Sequence, residues 1–336
     1  MNSFTRHASW ILAATAASTL LAACGGEDDG GGASKNTGTL NVGITDAPVD
    51  FADQVVVQFS GVELKPRDGE AFSIDFPSKR LNLLELQGSR RAMLLDGETV
   101  PAGEYEWLRL KVDADPDVGG DSYVRLEAGG EECEMRIPSG EQTGLKLVRG
   151  FTVGAGATTD FTIDFDLRKS LVAPPGQKTI VESCGNQAFL LKPVLRMVNN
   201  LQVGSISGTV DLAFAGTQCP ADNSAPYPGN VYLFGPIAAG AADTTVPADD
   251  YDGIASDPNG ADALVSAMVD PDTGNYTLGF LAPGRYKVAY TCDLDDIEVN
   301  ADTDATEEVV FTPADGVAVN VAPNAVTDVD FPPPAP

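Results

Sequence analysis

Apolar residues recur at every second position along most of this chain, and that period decides what it folds into. Leu40, Val42 and Ile44 alternate with Thr39, Asn41 and Gly43, and Leu108, Leu110 and Val112 alternate with Arg109, Lys111 and Asp113. Successive side chains of a strand point to opposite faces, so such runs make half-buried strands. Phe161, Ile163, Phe165 and Leu167 alternate in the same way with Thr162, Asp164, Asp166 and Arg168, which predicts one edge in a core and the other in solvent. Clusters of Gly, Pro, Asp and Ser separate the runs, and no long stretch carries the i, i+3, i+4, i+7 apolar pattern of an amphipathic helix. Short strands at regular spacing predict an all-β fold of antiparallel sandwiches. Arg80 to Leu86 and Ala261 to Val269 are the candidates for short helices.

The strand pattern pauses at Asn199-Asn200 and restarts at Ser205 to Asp211, which places a domain boundary there, with one sandwich over 38–200 and a second over 201–336. In the second, Val231 to Phe234, Tyr276 to Phe280, Tyr286 to Tyr290, Val317 to Val321 and Val329 to Phe331 read as strands. Ala238 to Gly260 reads as a long loop and Pro332 to Pro336 as a frayed end. The halves share an echo. Pro101-Ala102-Gly103-Glu104-Tyr105 and Ala282-Pro283-Gly284-Arg285-Tyr286 both set a Pro/Gly turn just before a Tyr that opens an alternating strand. Pro presets φ and Gly accepts a positive φ, so the turn aims the Tyr inward.

Composition removes much of enzymology. The single His is His7, near the N-terminus, so the domains have no imidazole for nucleophilic triads, acid–base catalysis or zinc ligation. Chemistry based on two carboxylates survives, as in glycoside hydrolysis, but sugar clefts want aromatic platforms, and the domains contain only Trp107, at a sheet face or core edge. The formal charge is −28, and −29 without Arg6, which repels nucleic acid and anionic lipid heads. Positive partners or divalent cations suit such a surface; the plainer reading is solubility.

Arg6 followed by the apolar stretch Trp10 to Leu21 has signal-peptide proportions, too short for the ~20 residues that span a bilayer. It closes on Leu21-Ala22-Ala23-Cys24, which resembles the lipobox of bacterial lipoproteins. The resemblance implies that residues 1–23 are removed and that Cys24 carries a diacylglyceryl thioether and an N-acyl chain such as palmitate, anchoring the protein to a membrane. Residues 24–37 follow as a flexible tether. Gly25 after Cys24 lacks the Asp that favours inner-membrane retention in enteric bacteria, so the outer membrane is expected, on an open face. Cys133, Cys184, Cys219 and Cys292 remain, and four cysteines allow three connectivities. With the boundary near 200, Cys133–Cys184 and Cys219–Cys292 give one bridge per domain.

The sharpest ligand-like run is Asp113-Ala-Asp115-Pro-Asp117-Val-Gly119-Gly120-Asp121. Ca²⁺ takes six to eight oxygens, which alternating carboxylates before a Gly pair can supply. The run fails the EF-hand pattern at Val118 and Val124, and an acidic hairpin loop is its simpler reading. Asp293, Asp295, Asp296, Asp302 and Asp304 invite the same idea and the same answer. Asp46, Asp50, Asp164 and Asp166 form either a site for a cation or basic ligand, or a turn at Asp46 with ion pairs at Asp164 and Asp166.

Residues 38 to 198 resemble the bacterial family called domain of unknown function 4382. The likeness runs through LNVGITDAP from Leu40, Leu81 to Leu86, PAGEYEWLRLKV from Pro101, FTIDFDLRKS from Phe161 and LLKPVLRMV from Leu190. It implies an exported lipoprotein with a transthyretin-type sandwich and attaches no activity. Residues 203 to 331 resemble a carboxypeptidase regulatory-like module through VGSISGTV from Val203 and DPDTGNYTLGFLAPGRYKVAY from Asp270, which implies a non-catalytic spacer or adhesive unit. The expected function is therefore membrane-anchored binding, adhesion or scaffolding, with a glycan or protein as ligand and no cofactor unless Ca²⁺. A periplasmic assembly accessory is the alternative, and a carboxylate hydrolase the least favoured.

Overall fold

The computed structural model describes residues 36–47, 49, 52–114, 121–126, 130–137, 144–172, 188–219, 228–238, 263–292 and 310–332. The first half opens with β1 (Thr37–Ala47), β2 (Ala52–Pro66), β3 (Phe72–Asn82), β4 (Ala92–Pro101) and β5 (Gly103–Asp113). It continues through β6 (Tyr123–Leu126), β7 (Glu132–Arg136), β8 (Leu145–Leu147), β9 (Phe151–Val153), β10 (Thr158–Asp166), β11 (Leu171–Val172), β12 (Phe189–Leu191) and β13 (Leu195–Asn199), with α1 (Leu167–Ser170) after β10. The second half holds β14 (Gly204–Thr209), α2 (Leu212–Gln218), β15 (Asn230–Phe234), β16 (Ala263–Met268), β17 (Asn275–Leu281), β18 (Gly284–Thr291), β19 (Thr312–Val321) and β20 (Val326–Asp328).

In the first half, the sheet β13-β10-β1-β4 faces a larger sheet built on β2 and β5. The inward sets that the period-two pattern marks, among them Leu40, Val42, Ile44, Leu108, Leu110, Phe161, Ile163 and Phe165, meet in one core. The second half sets β17-β14-β20 against β16-β15-β18-β19 around a separate core that includes Ile206, Leu278, Tyr286, Val288 and Phe331. The all-β sandwich architecture is the one the periodicity predicts.

The ladders are not uniformly antiparallel. β1 pairs β10 in parallel, as β14 pairs β20 and β12 pairs β7. A period of two fixes which face is buried and carries no information about strand direction, so this feature was beyond the pattern.

The two halves repeat one plan. β1 lies between β4 and β10 as β14 lies between β17 and β20, and β5 lies between β2 and β9 as β18 lies between β15 and β19. The repeat extends to atoms. Thr39 N donates to Ala157 O at 2.9 Å, and Ser205 N donates to Ala325 O at 3.0 Å. A Cβ on Gly38 would meet Gly154 O at 2.3 Å and Val153 at 2.7 Å, and one on Gly204 would meet Ala322 O at 2.3 Å and Val321 at 2.7 Å. In each half the first strand crosses so close to the turn before its parallel partner that only glycine fits.

Two helix expectations are corrected. Ala261 to Val269 is not helical: Ala263–Met268 is strand β16, an edge partner of β15, and the residues before it lie outside the described set. Over Arg80 to Leu86, the chain stays extended to Asn82 and makes a single 3₁₀ turn at Leu83–Glu85. Both are short apolar runs whose partner strand outweighs local periodicity.

Candidate functional site at the junction of the sandwiches

The segments that carry the family likeness converge at one end of the β13-β10-β1-β4 sheet. The parallel register sets Thr45 beside Asp164, Asp46 beside Phe165 and Ala47 beside Asp166. Thr45 Oγ1 lies 2.7 Å from Leu86 O and 2.8 Å from Arg90 O, so its one proton ties β1 to the segment after the 3₁₀ turn. Asp46 N donates to Leu86 O at 3.2 Å.

The three aspartates do not form one carboxylate cluster. Asp46 is buried and shares the parity of Leu40, Val42 and Ile44, whereas Asp164 alternates with Phe161, Ile163 and Phe165 and so lies on the opposite face of the sheet. Asp166 caps α1, accepting from Lys169 N at 3.3 Å, with Lys169 Nζ 3.2 Å from its other oxygen. Asp50 and Pro48 lie outside the described residues.

The outward edge of β10 is not in solvent. Thr162 is fully buried and Asp164 is 5% exposed, a correction to the one-sided strand that alternation implies. Arg196 on β13 covers Asp164, with Nη2 at 2.5 Å and Nε at 3.1 Å from Oδ2. Arg91 covers the other end, its two terminal nitrogens reaching the two oxygens of Asp160 at 2.7 and 3.0 Å, while Asn200 Nδ2 donates to Asp160 at 2.8 Å. The hydrogen-bonded Arg91 guanidinium, aided by Asn200, holds the Asp160 carboxyl below its ordinary range. Burial pushes the Asp166 carboxyl up, against the opposing pull of Lys169.

Three cations of this cluster reach into the second sandwich. Arg196 Nη1 donates to Phe280 O at 3.3 Å, Arg168 Nε donates to Ser266 Oγ at 3.1 Å, and Lys169 Nζ donates to Ala263 O. The Arg168 guanidinium also lies 5.5 Å from the centre of the Tyr232 ring, a cation–π geometry. Backbones touch beside them: a Cβ on Gly279 would come within 2.0 Å of Gly88 O. The sequence reading missed Arg168, Lys169, Arg196 and Arg91. The signal available was the cation spacing inside FTIDFDLRKS and LLKPVLRMV, read there only as partners for acids.

The remaining candidates sit apart. Of the acidic run, Asp115 and Asp117 lie outside the described residues. Asp113 accepts from Gln58 Nε2 at 3.1 Å and Ser60 Oγ at 3.4 Å, and Asp121 pairs with Arg80 at 3.2 Å. Among the described residues, no group of three or more His, Cys, Asp or Glu is placed to hold a metal. Cys24, Cys184 and the acidic run from Asp293 to Asp304 also lie outside them. Cys133 is buried on β7 and disulfide-bonded. Cys219 and Cys292 form a disulfide with their Cα atoms 5.1 Å apart. The Tyr290 hydroxyl lies 3.1 Å from Cys219 Sγ and 3.3 Å from Cys292 Sγ, and it donates to Pro228 O at 2.7 Å. Burial pushes this phenol up to about 12.

These features define an all-β protein of paired sandwiches joined by a buried polar cluster. Residues 37–193 match the family model described as domain of unknown function DUF4382. No curated protein matches the chain. Among solved structures, a leucine-rich repeat protein from Bacteroides thetaiotaomicron is similar at 11% identity and a TM-score of 0.20, covering 88% of this chain and 26% of its own. This chain thus spans about a quarter of that protein's length. The minor pilin GBS52 of Streptococcus agalactiae is similar at 11% identity and a TM-score of 0.17, covering 87% of this chain and 94% of its own. A fimbrial protein from Bacteroides ovatus gives 11% identity and a TM-score of 0.20, covering 89% and 49%.

Proposed function

We propose that this chain is a lipid-anchored protein of the bacterial outer membrane that works by binding, adhesion or scaffolding and not by catalysis, with Cys24 as the acylated residue. The observation that carries the reading is the use made of the charged residues at the junction. Asp164, Asp166, Arg168, Lys169 and Arg196 are the charged residues that the family-like segments bring to the junction, and each is spent on an intramolecular ion pair or on a bond to the second sandwich. A catalytic carboxylate pair needs two groups facing one space, one of them held for proton transfer. Here the carboxylates divide between two sheet faces, and Arg196 and Lys169, paired with Asp164 and Asp166, reach the second sandwich. The second sandwich serves as a regulatory-like, non-catalytic spacer or adhesive module beyond the first.

Protease shaving of intact cells tests the reading, with Cys24→Ala and a periplasmic marker as controls. Cleavage in sealed cells that depends on Cys24 supports an anchored protein whose sandwiches face outward. Protection until lysis turns the search to periplasmic partners. Release of the wild-type chain as a soluble, unacylated protein overturns the anchored reading.

A further inference from the structure

The outer face of β2, β5 and β8 carries a second cluster, far in character from the acidic whole. Strand register sets it out in rows. Glu63, Arg109 and Lys146 lie side by side across β2, β5 and β8, and Lys65 lies beside Trp107 in the next row. The Arg109 guanidinium is 4.8 Å and the Lys146 ammonium 4.4 Å from the centre of the Trp107 ring. Glu63 pairs with Arg109 at 2.6 Å and Asp75 pairs with Lys111 at 2.7 Å. Lys65, Lys146 and Arg149 make no ion pair among the described residues, and Glu106 is exposed at the rim.

The strands break at Trp107. Leu108 faces Leu147 on β8, whereas Tyr105 faces Phe151 on β9, so Val148, Arg149 and Gly150 bulge out opposite Glu106 and Trp107. Val148 is 78% exposed there and Arg149 is exposed beside it. A bulge leaves its residue unpaired and re-aims the side chains around it. Like charges directly opposite on a ladder oppose folding, and Arg109 faces Lys146 with one acid for the two. An anion held between them would relieve that repulsion.

We propose that this face binds a carboxylated polysaccharide, a strand of uronic acid residues, with Trp107 and Val148 against the C–H faces of the sugar and Lys146, Arg149 and Arg109 on its carboxylates. The assignment rests on the binding-protein reading above and gives it a ligand class. Charge complementarity chooses an anion, and at physiological salt a Debye length of about 8 Å lets a local cationic face act inside a chain of formal charge −28. A face of neighbouring strands presenting its cations in a row fits an extended ligand. The exposed apolar surface is one half-buried indole and one valine, too little for the apolar centre of a protein–protein interface.

In a full chain carrying Trp10→Phe, Trp107 is the only indole, so its fluorescence reports the site directly. Titration with oligogalacturonate is expected to shift that emission, with no response to neutral dextran. Affinity electrophoresis through polygalacturonate is expected to retard the chain. Trp107→Ala and the Lys146→Gln, Arg149→Gln pair should each weaken retardation about tenfold, equivalent to ~1.4 kcal/mol. Absence of retardation in a chain with native circular dichroism overturns the proposal. Equal retardation by polyphosphate, unchanged in Trp107→Ala, overturns it too, because that is ion exchange alone. The lysine and arginine substitutions are on the surface, so they decide the matter if Trp107→Ala fails to fold. Shaving of intact cells does not depend on the sugar, so the two readings fail separately.

Discussion

The hydroxyl of Tyr105 donates to the carbonyl of Pro101, four residues upstream, at 2.7 Å. Tyr286 repeats the bond to Ala282, also four residues upstream, at 2.8 Å. Both rings are buried, and burial raises both phenols above their ordinary range, so each remains a neutral donor. The Pro/Gly turn and its Tyr are therefore one device used twice, at the start of β5 and of β18, similar to the tyrosine corner of other sandwiches.

Replacing either Tyr by Phe keeps the ring and removes one hydrogen bond to the carbonyl of an exposed turn residue. Tyr105→Phe and Tyr286→Phe should each destabilise the fold by about 1 kcal/mol in urea unfolding with an unchanged m-value. Equal effects in the two halves would bear out the repeated plan; no loss at either site would reduce the turn to a steric feature.

Arg196 serves both halves, through Asp164 in its own sheet and the Phe280 carbonyl of the other sandwich. Arg196→Ala leaves the buried Asp164 carboxylate without that partner. The expected loss is about 3 kcal/mol, at the lower end for buried pairs because the Arg196 side chain is 18% exposed. Adding Asp164→Asn should return part of it. Calorimetry should show a lower midpoint when Arg196 is lost, since one of the three side-chain bonds that cross the junction goes with it while those of Arg168 and Lys169 remain.

Period-two alternation placed β1, β5, β10, β17 and β18, and the Pro/Gly echo pointed to the relation between the halves. What it could not convey was what lies on the other side of a strand. Thr162 and Asp164 read as solvent-facing because polar residues usually are; they are covered because Arg91, Arg196 and the second sandwich lie over them. The same limit explains β16, where consecutive apolar residues read as a helix until β15 supplies the partner strand. Trp107 was legible as a residue of a sheet face or core edge. Its cations were not, because Lys146 comes from a strand far along the chain and only the register brings it there.

Gly279 and Gly88 mark a close backbone approach between the two halves. A Cβ on Gly279 would lie 2.0 Å from Gly88 O and 2.7 Å from Gly88 C, both backbone atoms that cannot swing aside. Gly88 itself has φ +69° and meets Thr277. Gly279→Ala should therefore force the segments apart and destabilise by about 1–3 kcal/mol, the usual range for overpacking. Gly216→Ala, in α2 with open space around it, is the control and should be neutral or stabilising. Proteolysis should report the difference as faster cleavage near residue 88 in the first variant alone.

Asp160 gives the junction sheet a dependence on pH whose sign is fixed. Its carboxyl is held below the ordinary Asp value near ~3.9 by Arg91, with Asn200 adding to the effect. A group whose pKa is lower folded than unfolded contributes stability in full above the unfolded value, and loses it as pH falls through the folded one. Asp160→Asn removes the charge and one half of a two-pronged ion pair, and should cost about 1–2 kcal/mol at pH 7, discounted because both side chains are partly exposed. The gap between wild type and variant should stay constant down to the ordinary Asp range and then close as the pH drops below it. Urea midpoints measured from pH 7 downward check this. A gap that widened towards acid would mean that Arg91 does not hold Asp160 in the ionised state.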